Sequence, residues 1–128
     1  MISASTENVG TYAINQGTVS ASSNYNLGYV GANETITQAP LTVTANAASK
    51  IYGVNDSAFT FGSTGYINAT VDGIVIADNA GNSVTGSLSR QLLTQADENV
   101  GTHAINQGSV ASSNYAITYN LSLIHICE

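Results

Sequence analysis

Apolar and polar positions alternate along most of this chain. In residues 11–15, Tyr12 and Ile14 fall on one side and Thr11, Ala13 and Asn15 on the other. In residues 102–106, His103 and Ile105 take the first side. Period two, interrupted by Gly, Asn, Asp and Ser roughly every eight to twelve residues, is the signature of short strands. Tyr25, Leu27 and Tyr29 form an i, i+2, i+4 row, and Tyr115, Ile117 and Tyr119 form another. Both rows are expected to be core or half-buried cross-strand contacts. Further strands are expected around Ile36, over residues 41–45, over 58–61 with Phe59 and Phe61 on one face, and over 84–92 with Arg90 exposed or edge-facing. Residues 62–83 hold Ile67, Val71, Ile74, Val75 and Ile76 but are broken by Gly65, Gly73 and Gly81, so one helical turn near residues 68–72 is allowed and otherwise loop and strand. The fold class expected is mostly β: a small antiparallel β-sandwich or β-grasp-like module with at most one short helical turn.

The alternation is itself duplicated. Residues 7–17, ENVGTYAINQG, return at 98–108 as ENVGTHAINQG, identical at ten of eleven positions. The block Ser22-Ser23-Asn24-Tyr25 returns as Ser112-Ser113-Asn114-Tyr115. A period of about 90 residues is the size of a small domain and not of a solenoid turn, which points to an array of modules. The phase divides the chain into residues 1–39, the C-terminal half of a preceding repeat; residues 40–120, one nearly complete module starting after Pro40, the only proline; and a tail, 121–128. A proline cannot donate to a strand ladder, so it suits a boundary. The half-module is expected to be loosely held.

Composition narrows the partners. Eight carboxylates face only Lys50 and Arg90, a net charge of −6. Binding to nucleic acid needs several basic residues to displace counterions from phosphates, and anionic membrane surfaces ask for the same, so both are disfavoured. Apolar runs stay short of the roughly 18 residues of a spanning helix. Residues 1–10 carry no basic region followed by an apolar one, so any export signal is expected outside this stretch. The one cysteine, Cys127, excludes a disulfide framework. Stability must then come from core burial, and a module of about 80 residues hides roughly 60–65% of its unfolded surface.

Chemical candidates are few. His103 is the residue type of a general base, yet its counterpart is Tyr12, which cannot play that part at neutral pH. An aromatic packing role is the expectation, and no catalytic residue is assigned. His125 and Cys127 share one face of a strand but two ligands do not close a metal site. Asp78, Asn79 and Asn82 around Gly81 offer the hard oxygens calcium prefers, without the spacing of an EF-hand, and a plain turn is the competing reading. Calcium is the only cofactor the sequence brings into question. Asn33, Asn55 and Asn68 fit the N-glycosylation pattern, as expected by chance in a chain rich in Asn, Ser and Thr. Tyr52 and Tyr66 are the candidate stacking faces for a ligand.

The motifs Ser49-Lys50-Ile51-Tyr52-Gly53, Gly86-Ser87-Leu88-Ser89-Arg90, Glu98-Asn99-Val100-Gly101-Thr102, Ile105-Asn106-Gln107-Gly108 and Asn114-Tyr115-Ala116-Ile117-Thr118-Tyr119, in this order, resemble the MBG/YDG-type tandem repeats. These are β-rich modules of large bacterial surface proteins, including filamentous-haemagglutinin-like adhesins of Gram-negative bacteria. The chain departs from that pattern at Asp56-Ser57, where the family often has Asp-Pro, and in a longer segment 65–83. The tail LSLIHICE does not resemble the family's closing strand. It resembles the translation of a transposase adapter left at the end of a sequencing read. The resemblance implies a structural stalk repeat without catalysis, at the bacterial cell surface or outside the cell, whose expected partners are neighbouring repeats of the same chain and host or matrix glycans or glycoproteins. The alternative is a module binding glycans or glycoproteins through exposed tyrosines.

Overall fold

The computed structural model describes residues 7–128. Residues 1–6, the start of the expected half-module, lie outside the described residues. The strands are β1 Gly10–Ile14, β2 Ala32–Ile36, β3 Ala39–Ala45, β4 Ala48–Ile51, β5 Phe61–Thr64, β6 Asn68–Val71, β7 Ile74–Ala77, β8 Gly101–Ile105, β9 Tyr115–Asn120 and β10 Ser122–Cys127. The chain is mostly β, as its alternation requires.

Two three-stranded sheets form the main body, in the orders β5-β3-β9 and β4-β10-β8. Each takes its central strand from a clean alternation. In β3, Leu41, Val43 and Ala45 are buried while Thr42 and Thr44 are exposed. In β10, Ile124 and Ile126 point inward while Leu123 and His125 face out. One core cluster joins Ala45, Leu88, Ile105, Val110 and Ile124 across both sheets, and a second holds Leu41, Val43 and Tyr115. Phe61, Val84, Ile117 and Tyr119 pack against both clusters and fuse them. The Tyr115 row is therefore core, as its spacing predicts.

The pairing is mixed, not purely antiparallel. β3 runs parallel to β9, and β4 parallel to β10. Parallel neighbours need long crossovers, which the intervening chain supplies. The helical turn is not near residues 68–72, where β6 pairs antiparallel with β7 across Asp72-Gly73. One turn of α-helix, α1, spans Ala80–Ser83, and a 3-10 turn spans Gln95–Glu98.

The expected strand over residues 84–92 is absent as a regular ladder. Only isolated bridges remain, Thr85 to Ala111 and Ser89 to Asn106. Between them Gly86 and Gly108 take positive φ of 88° and 61°, and a Cβ on either would lie 2.1 Å from the Ser109 carbonyl oxygen or 2.5 Å from that of Ser87. The two segments approach too closely for side chains there, and the ladder bulges.

The repeat is built twice. β1 pairs with β2 with Gly10 opposite Ile36 and Ile14 opposite Ala32. β8 pairs with β10 with Gly101 opposite Ile126 and Ile105 opposite Ser122, the same register one period on. Tyr29 Oη donates to the Ile14 carbonyl at 2.6 Å, and Tyr119 Oη to the Ile105 carbonyl at 2.5 Å. Gln16 Nε2 reaches the Val19 carbonyl at 2.7 Å, and Gln107 Nε2 that of Val110 at 2.8 Å. Local geometry is thus the same in both copies, and burial is not. Ile14, Val19 and Tyr25 are 49%, 63% and 76% exposed, whereas Ile105, Val110 and Tyr115 are 0%, 3% and 2% exposed. The Tyr25 row is consequently neither core nor strand, contrary to its spacing. A β9-type strand needs a β3-type neighbour to pair with, and residues 25–30 have none among the described residues.

Candidate functional site

The densest polar constellation gathers both cations of the chain. Lys50 stands on β4, and Asp56 follows the Tyr52-Gly53 turn, where Gly53 has a φ of 88°. Arg90 leaves the bulged stretch, and Glu98 ends the 3-10 turn. Lys50 Nζ lies 2.6 Å from Asp56 Oδ1 and 2.6 Å from Glu98 Oε2. The Arg90 guanidinium forks onto Asp56, Nε to Oδ2 at 2.7 Å and Nη2 to Oδ1 at 2.9 Å. Nη2 also meets Glu98 Oε1, and Nη1 donates to the Asp97 carbonyl at 2.6 Å. The expectation of an exposed or edge-facing Arg90 is corrected: its side chain is fully buried. A planar fork with fixed donors can satisfy two carboxylates and a carbonyl at once, which makes that burial tolerable.

Charge pairing sets the ionisation of the cluster. The Arg90 guanidinium, helped by Lys50, holds the Asp56 carboxyl at about 2, although burial opposes this. Lys50, then Arg90, lowers Glu98, and the carboxylates raise Lys50 and Arg90 in return. Asp97 is lowered by the backbone N–H groups of Thr94 and Leu93, which it accepts at 2.9 and 2.8 Å. The Asp56 oxygens are committed to Arg90 and Lys50. The cluster ties β4, the loop after it and the 3-10 turn together.

A carboxyl whose folded value lies below its unfolded value of 3.8 stabilises the fold above pH 4, and that contribution is lost as pH falls towards 2. About 2 kcal/mol of stability should disappear between pH 4 and pH 2 through Asp56. Urea unfolding at stepped pH should show this loss, reduced in Asp56→Asn.

The sequence candidates are dispersed. His103 Nε2 bonds the Asn99 carbonyl at 2.8 Å, and Tyr12 Oη donates to the Asn8 carbonyl at 2.7 Å. These are one bond made by two residue types at the same repeat position. His103→Tyr should therefore change stability by less than about 0.5 kcal/mol, and His103→Ala should lose about 1 kcal/mol, in the same unfolding assay. His125 and Cys127 are both exposed on the outer face of β10.

The candidate calcium oxygens are engaged in the turn itself. Asp78 Oδ2 accepts from Tyr115 Oη at 2.5 Å. Asn79 Oδ1 accepts from the N–H groups of Gly81 and Asn82, and Asn82 Oδ1 accepts from that of Asn79 at 2.8 Å. This is a capping box around α1. Among the described residues, no group of three or more His, Cys, Asp or Glu is placed to hold a metal ion.

Of the candidate stacking tyrosines, Tyr66 stands edge-on to Tyr115 with ring centres 5.8 Å apart, and its hydroxyl bonds Ser63 Oγ. Tyr115 also accepts the Ile67 N–H at 2.9 Å, and burial raises its hydroxyl above the usual value. Tyr52 is exposed and lines a cleft of about 450 Å³ with Lys50, Asn55, Asp56 and Glu98. Tyr115 lines a different cleft, of about 440 Å³.

The frame from β3 onward, with its Tyr-Gly turn, lies over the span of a known domain: the family model described as MBG domain, YGX type, matches residues 41–122. The chain belongs to the MBG domain family. That membership points to a repeat module of surface proteins. The matched span runs from within β3 to the first residue of β10, and so takes in the two-sheet body up to its last strand. No curated protein and no solved structure matches the chain.

The buried ion cluster was missed by sequence reasoning, although a signal existed. Leu88 and Arg90 share a strand parity, so an inward Leu88 brings Arg90 inward as well.

Proposed function

We propose that this MBG module is a structural repeat from the stalk of a secreted or surface-anchored bacterial adhesin, without catalytic chemistry of its own. The observation that carries the reading is the back half built twice, in one register and with the same side-chain bonds, once covered and once bare. In a tandem array, residues 7–39 are the back half of a preceding module, and a front half like residues 40–97 covers Ile14, Val19, Tyr25, Leu27 and Tyr29. Gly17 supports this. It holds a φ of 60° as Gly108 does, but open space surrounds the position where Gly108 meets Ser87. A net charge of −6 with uncharged polar strand faces keeps such an array solvated and apart from its neighbours.

The test is to place residues 40–97 ahead of residue 7, which restores the period. The lengthened chain should bury the Tyr25 row and raise the urea m-value about twofold, since m follows the surface exposed on unfolding. An unchanged m-value with Tyr25 still open to solvent contradicts the reading.

A glycan-binding role has one favourable feature, exposed Tyr52 beside the polar groups of its cleft. Glycan-array binding abolished by Tyr52→Ala would favour it. The adapter origin of residues 121–128 stands as a companion proposal. The family match ends as β10 begins, although that strand fills the centre of its sheet with Ile124 and Ile126 buried. Genomic sequence continuing this frame with LSLIHICE intact would sink it.

A further inference from the structure

The two copies of the back half touch through one asparagine. Asn114 Oδ1 accepts the Val9 N–H at 2.9 Å, and its Nδ2 donates to Asn8 Oδ1 at 2.8 Å. Beside it, Ala39 N–H donates to the Asn114 carbonyl at 3.0 Å and Gln38 Nε2 to that of Ser113 at 3.2 Å. Asn8 and Val9 belong to the first repeated block and Asn114 to the second, so the contact joins a residue of one copy to a residue of the next. The amide side chain is used at both ends, donor and acceptor, and so fixes orientation as well as distance.

Each half of this contact occurs a second time. Asn99 and Val100 are the counterparts of Asn8 and Val9, and Asn24 is the counterpart of Asn114. Asn99, Val100 and Asn24 are all exposed. The unused half is preset as the used one is. Tyr12 pins the Asn8 carbonyl, and His103 pins the Asn99 carbonyl at nearly the same distance. The residue that varies between copies thus serves the conformation of the contact.

We propose that this asparagine clasp is the coupling between successive modules: Asn99 and the Val100 N–H form the docking point for the Ser-Ser-Asn asparagine of a further copy of this module. The inference rests on the tandem-array reading. A clasp repeated each period holds every module at one angle to its neighbour, as head-to-tail contacts between identical units do. A stalk so coupled resists bending at its joints without any large apolar interface.

Two measurements test it by amide hydrogen exchange. In the chain itself, Asn114→Ala should speed exchange at Val9 at least tenfold while Val43 and Ile124 keep their protection; Asn8→Ala should give a smaller acceleration. Unaltered exchange at Val9 in both variants overturns the clasp. In a chain extended by a second copy of residues 39–128 after Glu128, the Val100 N–H should gain at least tenfold protection, lost when the asparagine of the added copy alone becomes alanine. If the added copy folds and Val100 gains nothing, the clasp is no repeated coupling and the proposal fails, while the covered Tyr25 row expected of the array stays separately measurable.

Discussion

Ile105→Ala should destabilise the module by about 3 kcal/mol, and Ile14→Ala, the same position of the same repeat, should be nearly silent. Both isoleucines hold the same place in the same register, each as the last strand residue before an Asn-Gln-Gly turn. Ile105 is fully buried against Leu88, Val110 and Ile124, whereas Ile14 is 49% exposed. Truncating the first removes transferred methylenes and leaves a cavity in close-packed surroundings. Truncating the second changes a surface that water already reaches. For a domain of this size a 3 kcal/mol loss lowers the melting temperature by roughly 15 °C. Urea or thermal unfolding of the two variants would read the difference, and equal losses would mean that the first copy is covered in solution.

Arg90→Met should cost about 3 kcal/mol, since it leaves Asp56 and Glu98 beside Lys50 alone. Both carboxylates keep partial contact with water, which holds the penalty to the low end for a broken buried pair. Arg90→Lys should recover only part of this, because an ammonium cannot fork onto both Asp56 oxygens while reaching the Asp97 carbonyl. A pH series separates loss of charge pairing from loss of packing. In Arg90→Met the stability that wild type loses between pH 4 and pH 2 should be largely gone already, because the guanidinium is the main cause of the low Asp56 value. A variant as acid-sensitive as wild type would assign the cost to packing.

Period-two alternation identified β3, and β9 with its Tyr115 row inward, because each sets one face against the core; β10 was read as a tail, although Ile124 and Ile126 alternate inward in the same way. Which strands pair was not legible. Alternation says which face is buried and nothing about the neighbour, so the parallel pairs β3–β9 and β4–β10 had no local signal. Residues 84–92 misled because Leu88 and Arg90 alternate as in a strand, while Gly86 marks a close backbone approach that breaks the ladder. The helical turn fell at residues 80–83 because Asn79 caps it, a side-chain signal that apolar spacing does not carry. Arg90 was set outside on residue type alone, against its own parity. The duplication was the most informative feature. The pairing of Tyr12 with His103 disfavoured catalysis before the shared bond to a backbone carbonyl gave the position a structural task.

Amide hydrogen exchange across the whole chain tests the central claim most directly, that the two-sheet body carries an uncovered copy of its own back half. Local opening is read residue by residue in that experiment. Leu41, Val43, Ile105, Ile124 and Ile126 should exchange only through global unfolding, and residues 11–36 at least a hundredfold faster. Equal protection of residues 11–36 and of the two-sheet body would contradict the account.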